Sequence, residues 1–197
     1  MAEALIIAAT DYRRERWRNG AGWTQQIHAE PALQPGHDWG WRLSIAEIEA
    51  DAPFSAFPGV DRELVLLEGA GLRLRFDDGE VHALLPPHDR LRFAGERPLH
   101  GELVDGPTRD FNLMWRRDAI DAQLWHRPLV GTMAVFVEPG ETWAVYLMAG
   151  QVDFAGSEAL PSLRAGDTAL LASDERRRFL LDGTGEALVM RLAPRAQ

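Results

Sequence analysis

Two short segments in the first half of the chain combine aromatic rings with polar side chains that could contact a ligand. Residues 17–27 contain two tryptophans, two glycines and side-chain amides, and residues 54–62 bring two phenylalanines up to an acid and an arginine. Such mixtures are typical of a concave pocket with apolar walls and a few fixed polar groups. Taken singly, each residue is an ordinary core or turn residue. For the two segments together, both interpretations stay open: a ligand pocket, or residues with a purely structural role.

Histidine is the residue type that would hold a transition metal here, because the chain has no cysteine. No histidine follows residue 126, so we expect no metal in the second half. None of the first-half histidines shows the i, i+2 spacing of ligands on one strand; they are His28, His37, His82, His88 and His100. We interpret them as surface or hydrogen-bonded structural residues, with a metal site as the lesser alternative, and we predict no cofactor.

Composition removes several kinds of chemistry. Lysine is absent, so all 21 basic residues are arginine. This excludes lysine Schiff bases, and the missing cysteine excludes thiol nucleophiles. The net charge of −9 argues against nucleic-acid binding, which depends on cationic neutralisation of phosphates. We therefore expect no nucleic-acid partner.

The sequence contains no run of about 18 apolar residues, the length that a membrane-spanning helix needs. No basic segment precedes the short apolar stretch near the N-terminus, so a secretory signal is not supported either. The absence of cysteine fits a reducing compartment. These features predict a cytoplasmic protein that does not enter a membrane.

Strand patterns occur throughout and helical periodicity is nowhere sustained. Residues 41–46 and 72–76 alternate apolar with polar or small residues, as half-buried strands do. Residues 77–80, Asp-Asp-Gly-Glu, are suited to the turn of a hairpin. The best helical candidate is residues 117–124, which we place between two halves. The pattern predicts an all-β protein built as a sandwich or barrel.

The two halves are partly self-similar. Residues 64–69 run into a strand at 71–76, and residues 144–150 run into a strand at 151–154. A duplicated strand-turn-strand order predicts one fold used twice. The turns at residues 139–142 and 165–168 resemble those of a cupin, a double-stranded β-helix or jelly roll. We therefore expect a bicupin, with domains at residues 1–117 and 118–197 packed together.

Four blocks in the same order resemble the HutD/Ves family, and the resemblance covers nearly the whole chain. The blocks are Trp17–Thr24, Trp41–Ala46, Pro53–Arg62 and Asp105–Arg117. One departure is Ala21, where the family commonly has a further glycine. The resemblance implies a bicupin of the histidine-utilisation pathway that binds a small intermediate, urocanate or formylglutamate, and moderates the pathway without catalysing a reaction. The implied partner is a small anionic metabolite, and a homodimer stays an option.

This resemblance and the pocket chemistry assign roles to individual residues. Arginine can donate to both oxygens of a carboxylate at once. The candidates are Arg62 as the carboxylate ligand, Asn19, Thr24 and Ser55 as neutral donors, Trp17, Phe54 and Phe57 as walls, and Asp61, Asp110 and Asn112 as further polar residues. The alternative for the arginine is an ion pair with one of the two acids. For the last two residues it is a turn-fixing role.

A second hypothesis is a metal-independent enzyme, an isomerase or hydrolase that acts on a small carboxylate. In that case His88 or Glu63 would be the general base beside Arg62. A base must reach the substrate and have a suitable pKa, and sequence does not supply that geometry. The two hypotheses differ in whether an acid or histidine shares a closed cavity with the arginine.

Overall fold

The structure is a computed structural model, and it describes residues 3–32, 35–156 and 160–195. The described residues form β-strands, with one short 3₁₀ helix and no α-helix among them, which confirms the all-β prediction. In chain order the elements are β1 (Glu3–Ile7), the 3₁₀ helix (Ala9–Asp11), β2 (Arg13–Arg16), β3 (Gly22–Glu30), β4 (Trp41–Ile48), β5 (Ala52–Pro53), β6 (Val60–Glu68), β7 (Leu72–Phe76), β8 (Val81–Leu84), β9 (Arg90–Ala94), β10 (Leu99–Leu103), β11 (Thr108–Arg116), β12 (Ile120–Val137), β13 (Thr142–Phe154), β14 (Leu163–Arg164), β15 (Thr168–Ala172) and β16 (Arg177–Pro194). No helix in the described part of the chain is long and apolar enough to cross a membrane.

The chain divides into two compact units. The central unit, Arg13–Ala119, contains β2 to β11, and the terminal unit contains β1 together with β12 to β16. This differs from the expected boundaries of 1–117 and 118–197 in the place of the first strand. β1 pairs antiparallel with β15 along its whole length, from Glu3 opposite Ala172 to Ile7 opposite Thr168. An apolar run predicts a strand but does not identify its partner, because any free sheet edge can satisfy its backbone groups.

Two antiparallel sheets make up the central unit. One has six strands in the order β2-β3-β4-β11-β6-β9, and the other has four in the order β5-β10-β7-β8. Both sheets contribute to one apolar core, consisting of Ile48, Leu64, Leu66 and Phe93 from the larger sheet and Leu72, Leu74, Phe76, Leu84 and Leu99 from the smaller. The six-stranded sheet therefore has an inner face that carries both core residues and, further along the same strands, polar ones.

Several predicted elements are confirmed. β4 covers the alternating run at 41–46, and β7 buries every second residue from Leu72 to Phe76. The predicted turn joins β7 to β8, with Gly79 at φ 95°, a conformation that glycine adopts without steric cost. In β7 the alternation reflects one buried and one exposed face, whereas β4 is buried on both faces around Leu43, Ser44 and Ile45.

The helical candidate at residues 117–124 is wrong. β12 begins at Ile120 and pairs with β16 over 18 residues. Burial alternates along it, with Ala122 and Leu124 buried and Asp121 and Gln123 exposed. The partner strand lies far away in sequence, and its hydrogen bonds override a weak local preference.

The terminal unit has one sheet in the order β1-β15-β13-β16-β12, with β14 also paired to β13. Its core is apolar and draws on most of these strands. Val145, Leu147, Leu171 and Leu181 are among its most deeply buried members.

Candidate ligand-binding site

The central unit contains a cavity of about 600 Å³, which is within the usual range for a small-molecule site. It lies against the inner face of the six-stranded sheet. Side chains on a strand point alternately to opposite faces, so every second residue of a strand can line it. The lining residues of three adjacent strands follow this rule: Arg42, Ser44 and Ala46 in β4, Arg62 and Leu64 in β6, and Asp110 and Asn112 in β11.

Strand register places two arginines on either side of one methionine. Met114 of β11 is opposite Arg42 of β4 and also opposite Arg62 of β6. Two strands that flank a third are about 10 Å apart. Both guanidinium groups therefore reach the same cavity from neighbouring positions, and we call these two residues the arginine row.

Arg62 is a buried cation with few polar contacts. The residue is 5% exposed, and its Nη1 donates to the Ser55 carbonyl over a long 3.5 Å. Its guanidinium carbon lies 5.3 to 5.6 Å from the ring centres of Phe54, Phe57 and Phe93, within the range of cation–π attraction. The buried Nε has no hydrogen-bond partner. The expected alternative, an ion pair with Asp61 or Asp110, does not form in the described structure.

The pKa of Arg62 is lowered to about 9, first by burial and then by the charge of Arg42. The group is still protonated at neutral pH. Burial also lowers the pKa of Arg42, while Glu15 raises it in part. The Arg42 Nε likewise has no hydrogen-bond partner. The arginine row therefore presents positive charge with unused N–H donors, which is the requirement for binding an anion.

Asp110 lies two rows away on the same face of β11. It is fully buried, and its Oδ2 accepts a hydrogen bond from the Thr108 hydroxyl at 2.7 Å. Its Oδ1 has no partner. Burial raises the pKa of Asp110 to about 7, and the bond from Thr108 offsets part of that rise. At neutral pH the carboxyl group is therefore divided between its charged and neutral forms.

Asn112 occupies the row between Asp110 and the arginines. It is 5% exposed, and its Oδ1 is buried without a hydrogen-bond partner. Its neighbours across the sheet are Ser44 in β4 and Leu64 in β6. Unpaired buried acceptors are uncommon in folded proteins. Asp110 and Asn112 therefore offer two unused acceptors on one cavity wall, and we call them the acceptor pair.

The aromatic wall is held by its own contacts. The Trp17 indole N–H donates to the Thr24 hydroxyl at 2.8 Å, and its ring meets Phe54 edge-on with 6.3 Å between centres. This hydrogen bond leaves the Thr24 hydroxyl proton available to a ligand. The Asn19 side-chain oxygen instead accepts from the Ala21 backbone N–H at 3.1 Å, so it fixes the turn before β3.

Nine of the ten predicted site residues line the cavity, namely Trp17, Asn19, Thr24, Phe54, Ser55, Phe57, Arg62, Asp110 and Asn112. Asp61 does not join them. It points to the opposite face of β6, where its carboxylate pairs with Arg92 at 3.3 Å and Arg117 at 2.9 Å. Adjacent residues on a strand face opposite ways, so Asp61 and Arg62 could not both reach one pocket.

The two bases considered for an enzyme lie elsewhere. Glu63 follows Arg62 on the strand and faces away from it, with its carboxylate 3.5 Å from Arg90. The His88 Nδ1 is 3.0 Å from the Leu66 carbonyl oxygen. Neither residue lines the cavity.

Sequence reasoning missed five polar lining residues: Glu15, Arg16, Arg18, Arg42 and Ser44. Arg42 is the most consequential of them because it completes the arginine row. The alternation at residues 41–46 could have identified it, since that pattern places Arg42, Ser44 and Ala46 on one face. The sequence does not tell which face of the strand meets the pocket.

The chain is similar to proteins of one bacterial family. A family model described as HutD matches residues 9–189. An uncharacterized 21.2 kDa protein in the hutC 3' region of Pseudomonas putida is 39% identical over 125 residues, 63% of this chain and 64% of that protein. Protein Ves of Cronobacter sakazakii is 43% identical over 109 residues, 55% of this chain and 58% of that protein. The matches thus span less than two thirds of the length of these curated relatives.

Solved structures are similar to this chain over most of its length. HutD from Pseudomonas fluorescens SBW25, in its formate condition, has a TM-score of 0.84 at 30% identity and covers 98% of this chain and 100% of that one. Bacterial pirin YhhW of Escherichia coli, in complex with nickel(II), has a TM-score of 0.71 at 9% identity, covering 98% and 100%. A cupin 2 barrel protein of Leptotrichia buccalis reaches 0.56 at 10% identity, covering 87% and 88%. The last two show a cupin-like fold alone.

Proposed function

The chain belongs to the HutD family, and on this premise we propose that it binds a small carboxylate of the histidine-utilisation pathway and thereby moderates that pathway. The candidate ligands are urocanate and formylglutamate. The name of the Pseudomonas putida relative places that protein beside hutC, which supports the association with histidine use. The observation that carries the proposal is Arg62, a buried cation without a carboxylate partner in the described structure.

A buried charge without a counter-ion is costly, because cation–π contacts replace only part of the hydration that it loses. A ligand carboxylate would supply the missing counter-ion and accept N–H bonds that Arg62 and Arg42 leave unused. The ion pair would form in a cavity with phenylalanine walls, where the low dielectric strengthens it. Folding has already removed water from the Arg62 side chain, so binding does not have to desolvate it again.

The cavity also suits the size of the proposed ligands. A volume of about 600 Å³ accommodates a molecule of roughly ten to fifteen heavy atoms with some water. Trp17, Phe54 and Phe57 supply the apolar walls that a planar or aliphatic carbon skeleton would contact. The Thr24 hydroxyl adds a neutral donor. Shape, charge and wall chemistry support the same class of ligand.

We further propose that the two units are tandem cupins. Each is built from antiparallel strands around its own apolar core. The likeness to pirin and to a cupin 2 barrel supports this fold at the level of architecture. The duplicated strand-turn-strand order in the sequence supports it independently.

A second candidate function, a metal-independent enzyme acting on a small carboxylate, rests on Asp110. Its buried carboxyl group has a pKa of about 7 and lines the same cavity as Arg62. A group that titrates near neutral pH is well suited to general acid–base catalysis. Binding is favoured over catalysis because the two bases that the sequence offered, Glu63 and His88, do not line the cavity.

Thermal denaturation with added ligand tests the proposal. Urocanate, formylglutamate, histidine and glutamate are added to the wild type, to Arg62→Met and to Arg75→Met. A ligand at a hundredfold excess over its Kd stabilises the folded state by about 2.7 kcal/mol. We expect stabilisation of the wild type and of Arg75→Met, whose guanidinium lies outside the cavity and pairs with Glu102. An equal response of Arg62→Met, or no response of the wild type, contradicts the proposal.

Turnover separates the two candidate functions. Purified protein is incubated with urocanate and with formylglutamate, and the products are followed by absorbance and mass spectrometry. Unchanged ligands together with a thermal shift support binding. Turnover that disappears in Asp110→Asn supports the enzyme.

A further inference from the structure

The acceptor pair is not explained by carboxylate binding. A ligand carboxylate accepts hydrogen bonds, and so do the unused oxygens of Asp110 and Asn112. With Asp110 ionised, these groups would repel if they were placed beside each other. The acceptor pair must therefore meet a different part of the ligand, one that carries hydrogen to donate.

Register fixes how far that part lies from the carboxylate end. Asn112 is one row from the arginine row along β11, and Asp110 is two rows away. Rows on one face of a strand are about 7 Å apart, so the two acceptors lie about 7 and 13 Å from it at the backbone. Arginine side chains are long enough to shorten the nearer interval. A molecule with a carboxylate at one end and a donor a few bonds away can span it.

The charge of the cavity selects among donors. Its charged lining residues are four arginines and two acids: Arg16, Arg18, Arg42, Arg62, Glu15 and Asp110. An ammonium group would enter a site with an excess of positive charge. A neutral N–H, as in an amide or an azole, donates without that repulsion.

We infer that Asp110 and Asn112 form an acceptor subsite that selects, among small carboxylates, those that carry a neutral N–H donor. The inference rests on the proposed function and names the ligand class for the same cavity. A carboxylate that lacks the N–H leaves the acceptor oxygens buried and unpaired in the complex. Sites built to hydrogen-bond a ligand group reject analogues without it far more strongly than apolar pockets reject a missing methylene.

Matched ligand pairs test this on the wild type by isothermal titration calorimetry. Formylglutamate is compared with 2-formyloxyglutarate, in which an ester oxygen replaces the N–H. Urocanate is compared with 3-(oxazol-4-yl)acrylate, in which a ring oxygen replaces the N–H. For the pair that fits the cavity, we expect the N–H compound to bind about 10- to 100-fold more tightly. Glutamate and histidine, which carry an ammonium group, are expected to bind more weakly than the corresponding neutral N–H compound.

Two variants test whether the preference for the N–H compound arises at the acceptor pair and not at the arginine row. Arg42→Met should weaken both members of a pair by a similar factor and leave their ratio unchanged. Asp110→Asn should collapse or reverse the ratio, because the amide that replaces the free Oδ1 can donate. Circular dichroism and the melting temperature confirm that each variant is folded, and the ratio measured on the wild type does not depend on either.

The pH dependence of the affinity ratio within a ligand pair distinguishes direct contact of Asp110 with the ligand from a purely structural role. The neighbours of Asp110 across the sheet, Ala46 and Leu66, carry no charge, and Thr108 is its partner on β11. The other charged groups of the cavity are Glu15 and the four arginines. The pKa of Asp110 is about 7, so the ratio should be larger at pH 8 than at pH 6.

The outcomes separate the subsite from the function. If both members of each pair bind within twofold of each other, the acceptor subsite is wrong and carboxylate binding stands. Tighter binding of histidine or glutamate would overturn the preference for a neutral donor. If none of the compounds binds at millimolar concentration, the proposed function itself is wrong, and the inference is overturned with it.

Discussion

The central and terminal units treat buried polar groups differently. In the described residues of the central unit, the buried polar side chains are Ser44, Arg62, Glu63, Thr108, Asp110 and Asn112. In the terminal unit they are Thr168 and Ser173. Both of the latter have partners, since the Tyr12 hydroxyl lies 2.8 Å from Thr168 Oγ1 and Ser173 Oγ accepts from the Glu175 backbone at 3.3 Å. Arg62, Asp110 and Asn112 each leave a buried polar atom unpaired.

The difference between the two units supports the proposed ligand site in the central unit. A buried polar group without a partner destabilises the fold by about 1–3 kcal/mol. Proteins tend to keep such costs where a ligand or a reaction needs the group. The two buried polar residues of the described terminal unit, Thr168 and Ser173, meet the ordinary rule. The central unit departs from it at four residues that line one cavity, namely Arg42, Arg62, Asp110 and Asn112.

The largest expected effect is on the free energy of unfolding, when Asp110 is titrated. It would show that a buried polar group of the central unit destabilises the fold when it is charged. The pKa of Asp110 rises from 3.8 in the unfolded chain to about 7 in the fold because of burial. The folded state therefore binds its proton more tightly, so stability falls as pH rises from about 4 to 7 and is level above that. The difference is on the order of 4 kcal/mol. Urea unfolding at pH 4, 5.5 and 8 should show this slope in the wild type and not in Asp110→Asn; equal slopes would contradict it.

Replacing Arg62 with methionine comes next. Methionine fills a similar volume without charge, so we expect the unliganded protein to gain about 1–3 kcal/mol of stability. Affinity for the carboxylate should fall at least about 100-fold, because the buried charge pair cannot form. Melting temperature and titration calorimetry measure both changes. A variant that is less stable and still binds would remove the distinction between the units.

Arg42→Met should have a smaller effect. The residue is half-buried, and it lines the same cavity as Arg62, with which it would share the carboxylate in the proposed complex. We expect about tenfold weaker binding, the loss of one charge-assisted hydrogen bond. Arg109→Met serves as the control, because that guanidinium pairs with Glu68 and lies outside the cavity. A control that weakens binding as much as Arg42→Met would show that general charge, and not the arginine row, governs affinity.

The smallest effect is expected in the terminal unit. Tyr12→Phe removes a hydroxyl that contacts both the Gly166 carbonyl at 2.5 Å and Thr168. We expect a loss of about 1 kcal/mol of stability. Ligand-induced stabilisation should be the same as in the wild type. A reduced ligand response would mean that the terminal unit takes part in binding.

Local patterns identified much of the fold and of the cavity. Alternation predicted β4 and β7, and an Asp-Asp-Gly-Glu turn predicted the hairpin after β7, because a half-buried strand and a tight turn each impose their own residue types. The clustering of rings and polar groups at residues 17–27 and 54–62 identified seven lining residues, and the resemblance block at 105–117 supplied the other two, Asp110 and Asn112. Long-range pairing was not predicted: residues 120–124 of the helical candidate belong to β12, and β1 pairs with β15 in the terminal unit.

The amino-acid sequence by itself determined the all-β class and the residue types of the cavity, since periodicity, turn chemistry and composition are properties of the chain, and the resemblance of four blocks identified the family. Tertiary structure alone decided which of two adjacent residues faces the ligand. Asp61 and Arg62 are neighbours in sequence, yet pleating turns one outward to Arg92 and the other into the cavity. Register across β11 likewise brought Arg42 beside Arg62. Side-chain direction and strand register depend on which strands pair, and that pairing is settled only when the sheets assemble.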